Sequence, residues 1–225
     1  MSLISSNLEE VNARIAAAAE SVGRTREDIT LVAVTKTKPC SDIKEAAAAG
    51  AAEFGENYVQ ELVSKYDELG AVGNWHMIGH LQRNKVKYIA PFVSMIQSVD
   101  SAALAEEISR RAPAAGRTID ILIEAKVSEE DTKTGMNPDE ARDLALAADD
   151  LPGVAVRGIM GIPPFGADPR PYFERLKKIY DSLPKEMGKY LSMGMTSDYE
   201  TAIAFGSNMV RVGTAIFGAR DYGKQ

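Results

Sequence analysis

Cysteine is almost missing from these 225 residues: Cys40 is the single one. That excludes an internal disulfide framework and a cysteine-rich metal site, and points to a reducing compartment. Histidine is nearly as scarce, with His76 and His80 alone. No apolar run approaches the roughly 18 residues that a bilayer-spanning helix needs, so no membrane partner is expected. The opening M-S-L-I-S-S-N-L-E-E turns acidic too early for a signal peptide, and a cytoplasmic protein is expected. Basic residues are outnumbered, 26 against 32 acidic ones, for a net charge of −6. With no Lys/Arg block either, no nucleic-acid partner held by phosphate contacts is expected. Linker-like, low-complexity and repeated segments are absent, so residues 1–225 read as one domain. Composition is otherwise ordinary for a globular chain, 45% hydrophobic and 26% charged.

What is present is a procession of short apolar runs. Leu31–Val34, inside T-L-V-A-V-T-K-T-K-P, is unbroken, as in a parallel strand covered on both faces. Further strands are expected at Ala52–Phe54, Trp75–Ile78, Val93–Gln97, Ile119–Ala125, Val154–Met160, Tyr190–Ser192 and Met209–Val212. Helical patterns separate them. Capping boxes at Asp42–Glu45 and Ser197–Glu200, a cap at Asp100/Ser101 and the run Asn137-Pro138-Asp-Glu140 mark helix starts. Ahead of the first strand, Ile4, Leu8, Val11, Ile15 and Val22 share one helical face that Gly23 ends; this helix is expected to plug the bottom of the fold. Eight strands alternating with helices fit an α/β fold, a single (β/α)8 TIM-type barrel with an extra N-terminal helix. An open doubly wound sheet fits less well, because no G-x-G-x-x-G follows the first strand.

In such barrels chemistry gathers at the C-terminal strand ends, and phosphate is often held after strands seven and eight. Lys36 stands at the end of the first strand, where burial lowers a lysine's pKa and makes it nucleophilic toward aldehydes. Lys38 is the solvated control, and an ordinary strand-end lysine is the bland alternative for Lys36. After strand seven comes Ser192-Met-Gly194-Met-Thr196-Ser197, opening a helix whose free N–H groups favour an anion. After strand eight comes Arg211-Val-Gly213-Thr214. Glycine and hydroxyl recur there where backbone must approach a ligand, unless each glycine merely makes a turn. An amine facing two such loops suits a ligand with both aldehyde and phosphate, as in pyridoxal 5′-phosphate.

Together V-A-V-T-K-T-K-P, F-G-E-N-Y-V-Q-E, W-H-M-I-G-H-L-Q-R-N-K, L-S-M-G-M-T-S-D and M-V-R-V-G-T-A-I-F-G resemble the pyridoxal phosphate homeostasis protein family. The resemblance runs from about residue 5 to residue 220. It implies the fold-type III barrel related to the N-terminal domain of alanine racemase, with pyridoxal 5′-phosphate as cofactor and a Schiff base at Lys36. It further implies that Thr196, Gly213 and Thr214 cradle the phosphate, that Arg211 lies beside the pyridine nitrogen, and that Asn57 lines the pocket. Two departures are visible: Thr196 where serine is usual, and Asn208 where threonine is usual.

An arginine at the ring nitrogen can only donate, which favours an unprotonated nitrogen and a poor electron sink. Transamination and decarboxylation are disfavoured. Carriage of the cofactor in intracellular homeostasis, without evident turnover, is the reading; an amino-acid racemase using Lys36 and an unidentified second base is the alternative. Racemisation needs a base on the opposite face, which alanine racemase takes from a second subunit's C-terminal domain; no such domain is expected here. His76 and His80, near the third strand's mouth, are expected to be structural hydrogen-bonders, and Tyr58 helix core. A Schiff-base aldolase would need a carboxylic acid that the first strand lacks. Arg211 could alternatively pair with a rim carboxylate, and Ser128–Lys133 reads as a solvated loop. Arg83, Lys85 and Lys87 read as a wet basic face, and Cys40 as unreactive. The expected partners are the small cofactor and pyridoxal-phosphate-dependent apo-enzymes that receive it, and the chain is expected to be a monomer.

Overall fold

Each expected strand forms and pairs in parallel with the next, until β8 returns to β1 and closes the barrel. The computed structural model describes residues 2–127 and 138–219. The strands are β1 (Thr30–Val34), β2 (Glu53–Glu56), β3 (Asn74–Met77), β4 (Met95–Val99), β5 (Ile119–Glu124), β6 (Val154–Met160), β7 (Tyr190–Ser192) and β8 (Met209–Val212). Around them run α1 (Leu3–Glu20), α2 (Cys40–Ala48), α3 (Val59–Leu69), α4 (Val86–Ile89), α5 (Ala102–Ala114), α6 (Pro138–Asp149), α7 (Arg170–Asp181), α8 (Tyr199–Ala204) and α9 (Thr214–Phe217). This is the (β/α)8 barrel that the alternation of patterns implied. Among the described residues no helix is long and apolar enough to cross a membrane.

Alternation along each strand splits the core in two. Ile119, Ile121 and Ile123 of β5 face the helices, in the large outer core that also holds Ala33, Phe54 and Trp75. Inside the barrel, Val32, Met95, Leu122, Met160 and Met209 pack together with Tyr190 against them. Methionine suits this lumen, since its unbranched thioether fills irregular gaps.

Helix α1 does not plug the bottom. It packs against α8 and α9 on one side and α2 on the other, completing the outer ring where α9 has only four residues. Ile4, Leu8, Val11 and Ile15 are its buried stripe, each contributing about 1.5–3 kcal/mol of apolar burial. Val22 lies past the helix end and is exposed.

Local signals were partly overruled. α2 begins at Cys40 behind Pro39, so Asp42 lies within the first turn rather than at a cap. Ser197–Glu200 forms no capping box: Asp198 is the N-cap residue, and its carboxylate accepts from Met195 N at 2.6 Å instead. Ser101 is the N-cap of α5, but its hydroxyl accepts no bond from the helix and donates to Asp100 Oδ1 instead. The Ser128–Lys133 loop and Asn137 lie outside the described residues.

Candidate functional site

Lys36 inherits its direction from β1. Val32 points into the lumen and Val34 lines a pocket at the C-terminal mouth, so the same alternation turns Lys36 toward that pocket. The residues on either side of it are held by a buried polar cluster. Thr35 Oγ1 donates to Glu56 Oε1 at 2.6 Å, and Lys65 Nζ donates to the Thr35 carbonyl at 2.8 Å. Lys65 also bonds Glu56 Oε1 at 2.5 Å and Glu61 Oε2 at 3.0 Å. Thr37 N donates to that same Glu61 oxygen at 2.8 Å. This bond holds Thr37 in a left-handed conformation, φ +64°, that a β-branched residue adopts only under constraint. Burial pushes the Glu56 carboxyl up, opposed by Lys65 and Thr35. Lys65, Glu56 and Glu61 were not identified from sequence; a fully buried glutamate in G-E-N reads as a polar turn until its partner nine residues on is seen.

The pocket at this mouth has a volume of about 400 Å³, within the range of small-molecule sites. All six residues expected at the site line it: Lys36, Asn57, Thr196, Arg211, Gly213 and Thr214. Gly213 permits a close approach, because a Cβ there would lie a tight 3.2 Å from the Val34 carbonyl oxygen. Gly213 N donates to Thr196 Oγ1 at 3.4 Å, which ties the two loops together. The N–H groups of Thr196, Ser197 and Thr214 have no acceptor among the described residues, and both threonines carry hydroxyls beside them. Such a group of donors suits an anion. Among the described residues the buried Asn57 Oδ1 has no hydrogen-bond partner, and a bound donor would satisfy it.

Arg211 is buried, and among the described residues it is paired with no carboxylate, contrary to the rim-salt-bridge alternative. Its NH1 donates to Ser192 Oγ at 2.5 Å and its NH2 to the Gly161 carbonyl at 3.1 Å. Burial pulls it down to about 10, against the charges of Glu124 and Asp198, so it stays cationic at neutral pH. Glu124, at the end of β5, is pushed up to about 7 by burial and by Asp100, with Arg211 opposing.

Other candidates separate cleanly. His76 is buried inside the barrel and bonds Glu53 and Gln97, away from the mouth; His80 is exposed and faces Asp100. His76 is a structural hydrogen-bonder, whereas His80 only lies 3.4 Å from Asp100 Oδ2. Tyr58 is exposed at the N-cap of α3, not helix core. Lys38 is more than solvated: its Nζ donates to the carbonyls of Phe217 and Ala219. The Cys40 thiol is pushed up by burial and by Glu68, which makes it a poor nucleophile. Arg83 and Lys87 line a larger cleft of about 740 Å³ with Arg110 and Arg111, on the outer face between α4 and α5. None of its lining is shared with the Lys36 pocket, so size alone does not mark the site.

A pocket of this chemistry sits on a fold with known relatives. The model of the alanine racemase N-terminal domain matches residues 6–221. The pyridoxal phosphate homeostasis protein of Escherichia coli is 42% identical, over the whole of both chains. That of Pseudomonas aeruginosa is 41% identical over 99% of this chain and 98% of its own. Among solved structures, PipY of Synechococcus elongatus with pyridoxal phosphate bound superposes with a TM-score of 0.79 at 34% identity, covering 91% of this chain and all of that one. The alanine racemase of Enterococcus faecalis shares the fold alone, with a TM-score of 0.71 at 16% identity over 96% of this chain and 58% of its own. The chain therefore belongs to the pyridoxal phosphate homeostasis protein family, on the barrel of the alanine racemase N-terminal domain.

Proposed function

We propose that the chain binds pyridoxal 5′-phosphate reversibly and serves its homeostasis as a monomeric carrier in the cytoplasm. The observation that carries this reading is one pocket holding an amine, a buried guanidinium and a group of unpaired N–H and hydroxyl donors. When bound, pyridoxal 5′-phosphate would supply an aldehyde able to bond reversibly to a lysine amine. Lys36 is the residue that would form that bond. Thr196, Thr214 and the backbone around Gly213 would hold the phosphate, Arg211 would donate to the ring nitrogen, and Asn57 Oδ1 would accept from the ligand. The relatives named for pyridoxal phosphate homeostasis, and PipY with the cofactor bound, support this assignment.

Carriage rather than turnover is favoured by the lining itself. Among its described residues only Lys36 and Arg211 are titratable, so a second base to face Lys36 across a substrate is not among them. The cofactor would pass to pyridoxal-phosphate-dependent apo-enzymes. Borohydride reduction followed by peptide mapping tests the site: the label is expected on Lys36 and absent from Lys36→Ala, and a label on another lysine would refute it. Incubation with alanine or serine in D₂O is expected to leave the α-hydrogen in place. Exchange that depends on Lys36 would sink the carrier reading.

A further inference from the structure

The barrel lumen is not filled by hydrocarbon alone. Glu53, at the N-terminal end of β2, begins a row of polar side chains that crosses the interior to Arg211. Glu53 Oε2 lies 2.7 Å from His76 Nε2, and its other oxygen accepts from Asn74 at 2.9 Å. His76 Nδ1 lies 2.8 Å from Gln97 Nε2. Ser192 Oγ lies 2.7 Å from Gln97 Oε1, and Arg211 NH1 2.5 Å from Ser192 Oγ. His76, Gln97, Ser192 and Arg211 are all buried.

The proton positions along this row follow from the two ends. Arginine only donates, so Ser192 accepts from it and must send its own proton to Gln97 Oε1. That fixes the Gln97 amide with Nε2 toward His76 and toward Met209 Sδ, 3.3 Å away, and both are acceptors. His76 Nδ1 is then bare, and the ring proton sits on Nε2, donated to Glu53. At the far end Glu53 accepts from both His76 and Asn74, as a carboxylate does. Every donor thus meets an acceptor in one direction, from the guanidinium at the mouth to a carboxylate at the opposite end. Turning Gln97 over would set its Oε1 against the bare His76 Nδ1, two acceptors face to face, and moving the ring proton to Nδ1 would set two donors face to face; either leaves a buried group unsatisfied, at about 1–3 kcal/mol.

We propose that His76 and Gln97 are positioning residues for Arg211, holding the guanidinium through Ser192 so that its remaining donors face the pocket. The proposal rests on the placement of Arg211 against the cofactor given above. Its logic is that, among the described residues, the buried guanidinium hydrogen-bonds to no carboxylate but to neutral acceptors, Ser192 and the Gly161 carbonyl. Ser192 can serve as one only while Gln97 takes its proton. Sequence position conceals the arrangement, because the members come from β2, β3, β4, β7 and β8.

The test compares Gln97→Met, which keeps volume but removes the relay, and His76→Leu with His76→Asn, whose Oδ1 can stand where Nδ1 accepts. Two readouts are taken. The first is the Arg211 guanidinium NMR signal in the cofactor-free protein with labelled arginine. The second is the rate of pyridoxal 5′-phosphate release from the loaded protein. Gln97→Met and His76→Leu are expected to shift the Arg211 signal and to speed release about twofold to tenfold, the range of one hydrogen bond. His76→Asn is expected to restore both. A folded Gln97→Met whose Arg211 signal matches the parent overturns the proposal. A shifted signal with unchanged release keeps the chain of bonds but overturns the placement of Arg211 on the cofactor. If His76→Leu fails to fold, Gln97→Met and His76→Asn decide the matter alone.

Discussion

Lys65 Nζ lies 2.8 Å from the main-chain carbonyl oxygen of Thr35, the residue before Lys36. A lysine buried on α3, with Glu56 and Glu61 around it, thereby holds the strand end from which Lys36, the amine proposed to take the cofactor, projects. Lys65→Met would leave Glu56 buried beside Thr35 without its cation. Breaking a buried pair from one side costs about 3–5 kcal/mol. Urea unfolding should show a loss of that size, and Lys65→Met/Glu56→Gln should recover part of it. In folded Lys65→Met, borohydride labelling of Lys36 should slow, because the Thr35 carbonyl loses its donor and Glu61, which holds Thr37 N, loses its cation.

Glu124 predicts a pH dependence of stability. Its folded value is raised from 4.5 to about 7 by burial and Asp100. Across that window the folded chain binds more protons than the unfolded one, so this contribution to stability is lost as pH rises and is fully lost above it. The change is of the order of 1–3 kcal/mol. Glu124→Gln carries no charge to bury and should be more stable than the parent at about pH 8, with a flatter profile below. Calorimetric melting across the window checks both; parallel profiles for the two proteins would refute the assignment.

Thr214 stands at the exposed lip of the pocket, one residue beyond Gly213. Thr214→Val keeps the shape and removes the hydroxyl. A hydrogen bond to a charged group is worth about 1.5–3 kcal/mol, and exposure places this one at the low end. Cofactor release should quicken roughly tenfold. Stopped-flow transfer to a scavenging apo-enzyme measures it, and an unchanged rate would put the phosphate elsewhere.

Gly158 predicts a limit on the barrel itself. Its φ of +142° is a conformation L residues avoid, and an added Cβ would fall 1.8 Å from the Tyr190 carbonyl oxygen. Gly158→Ala must therefore push β6 away from β7, at an expected cost of about 3 kcal/mol or more. Urea unfolding against the parent would show it. A substitution tolerated without loss would mean that β6 and β7 can separate freely.

The strands were legible because a barrel buries them on both faces, which leaves runs such as Leu31–Val34 apolar throughout. Lys36 and Gly213 stood out for the same reason, as a polar and a small residue just beyond those runs, whereas Arg211 lies within β8 and was placed at the site by the family resemblance alone. What sequence concealed was polar and buried. Glu56 extends β2 by pairing with a lysine on the following helix, and His76 points down the lumen because Glu53 and Gln97 receive it there. Neither partnership has a fixed spacing. The place of α1 was hidden as well: an amphipathic stripe states that one face is covered, and only the short α9 shows what needs covering.

The junction of β7 and β8 is registered at one pair, Ser192 with Met209, and two of its main-chain bonds are long at 3.2 and 3.3 Å. Side chains stitch it instead: Asn208 bonds Leu191 N and the Lys189 carbonyl, and Ser207 Oγ reaches the carbonyls of Leu191, Met193 and Met209. This is the seam of the cylinder, and the two turns assigned to the phosphate rise directly from it. An anion gripped by both would act as a clasp, so the loaded carrier should resist unzipping that the empty one permits. Handing over the cargo would then also loosen the hand.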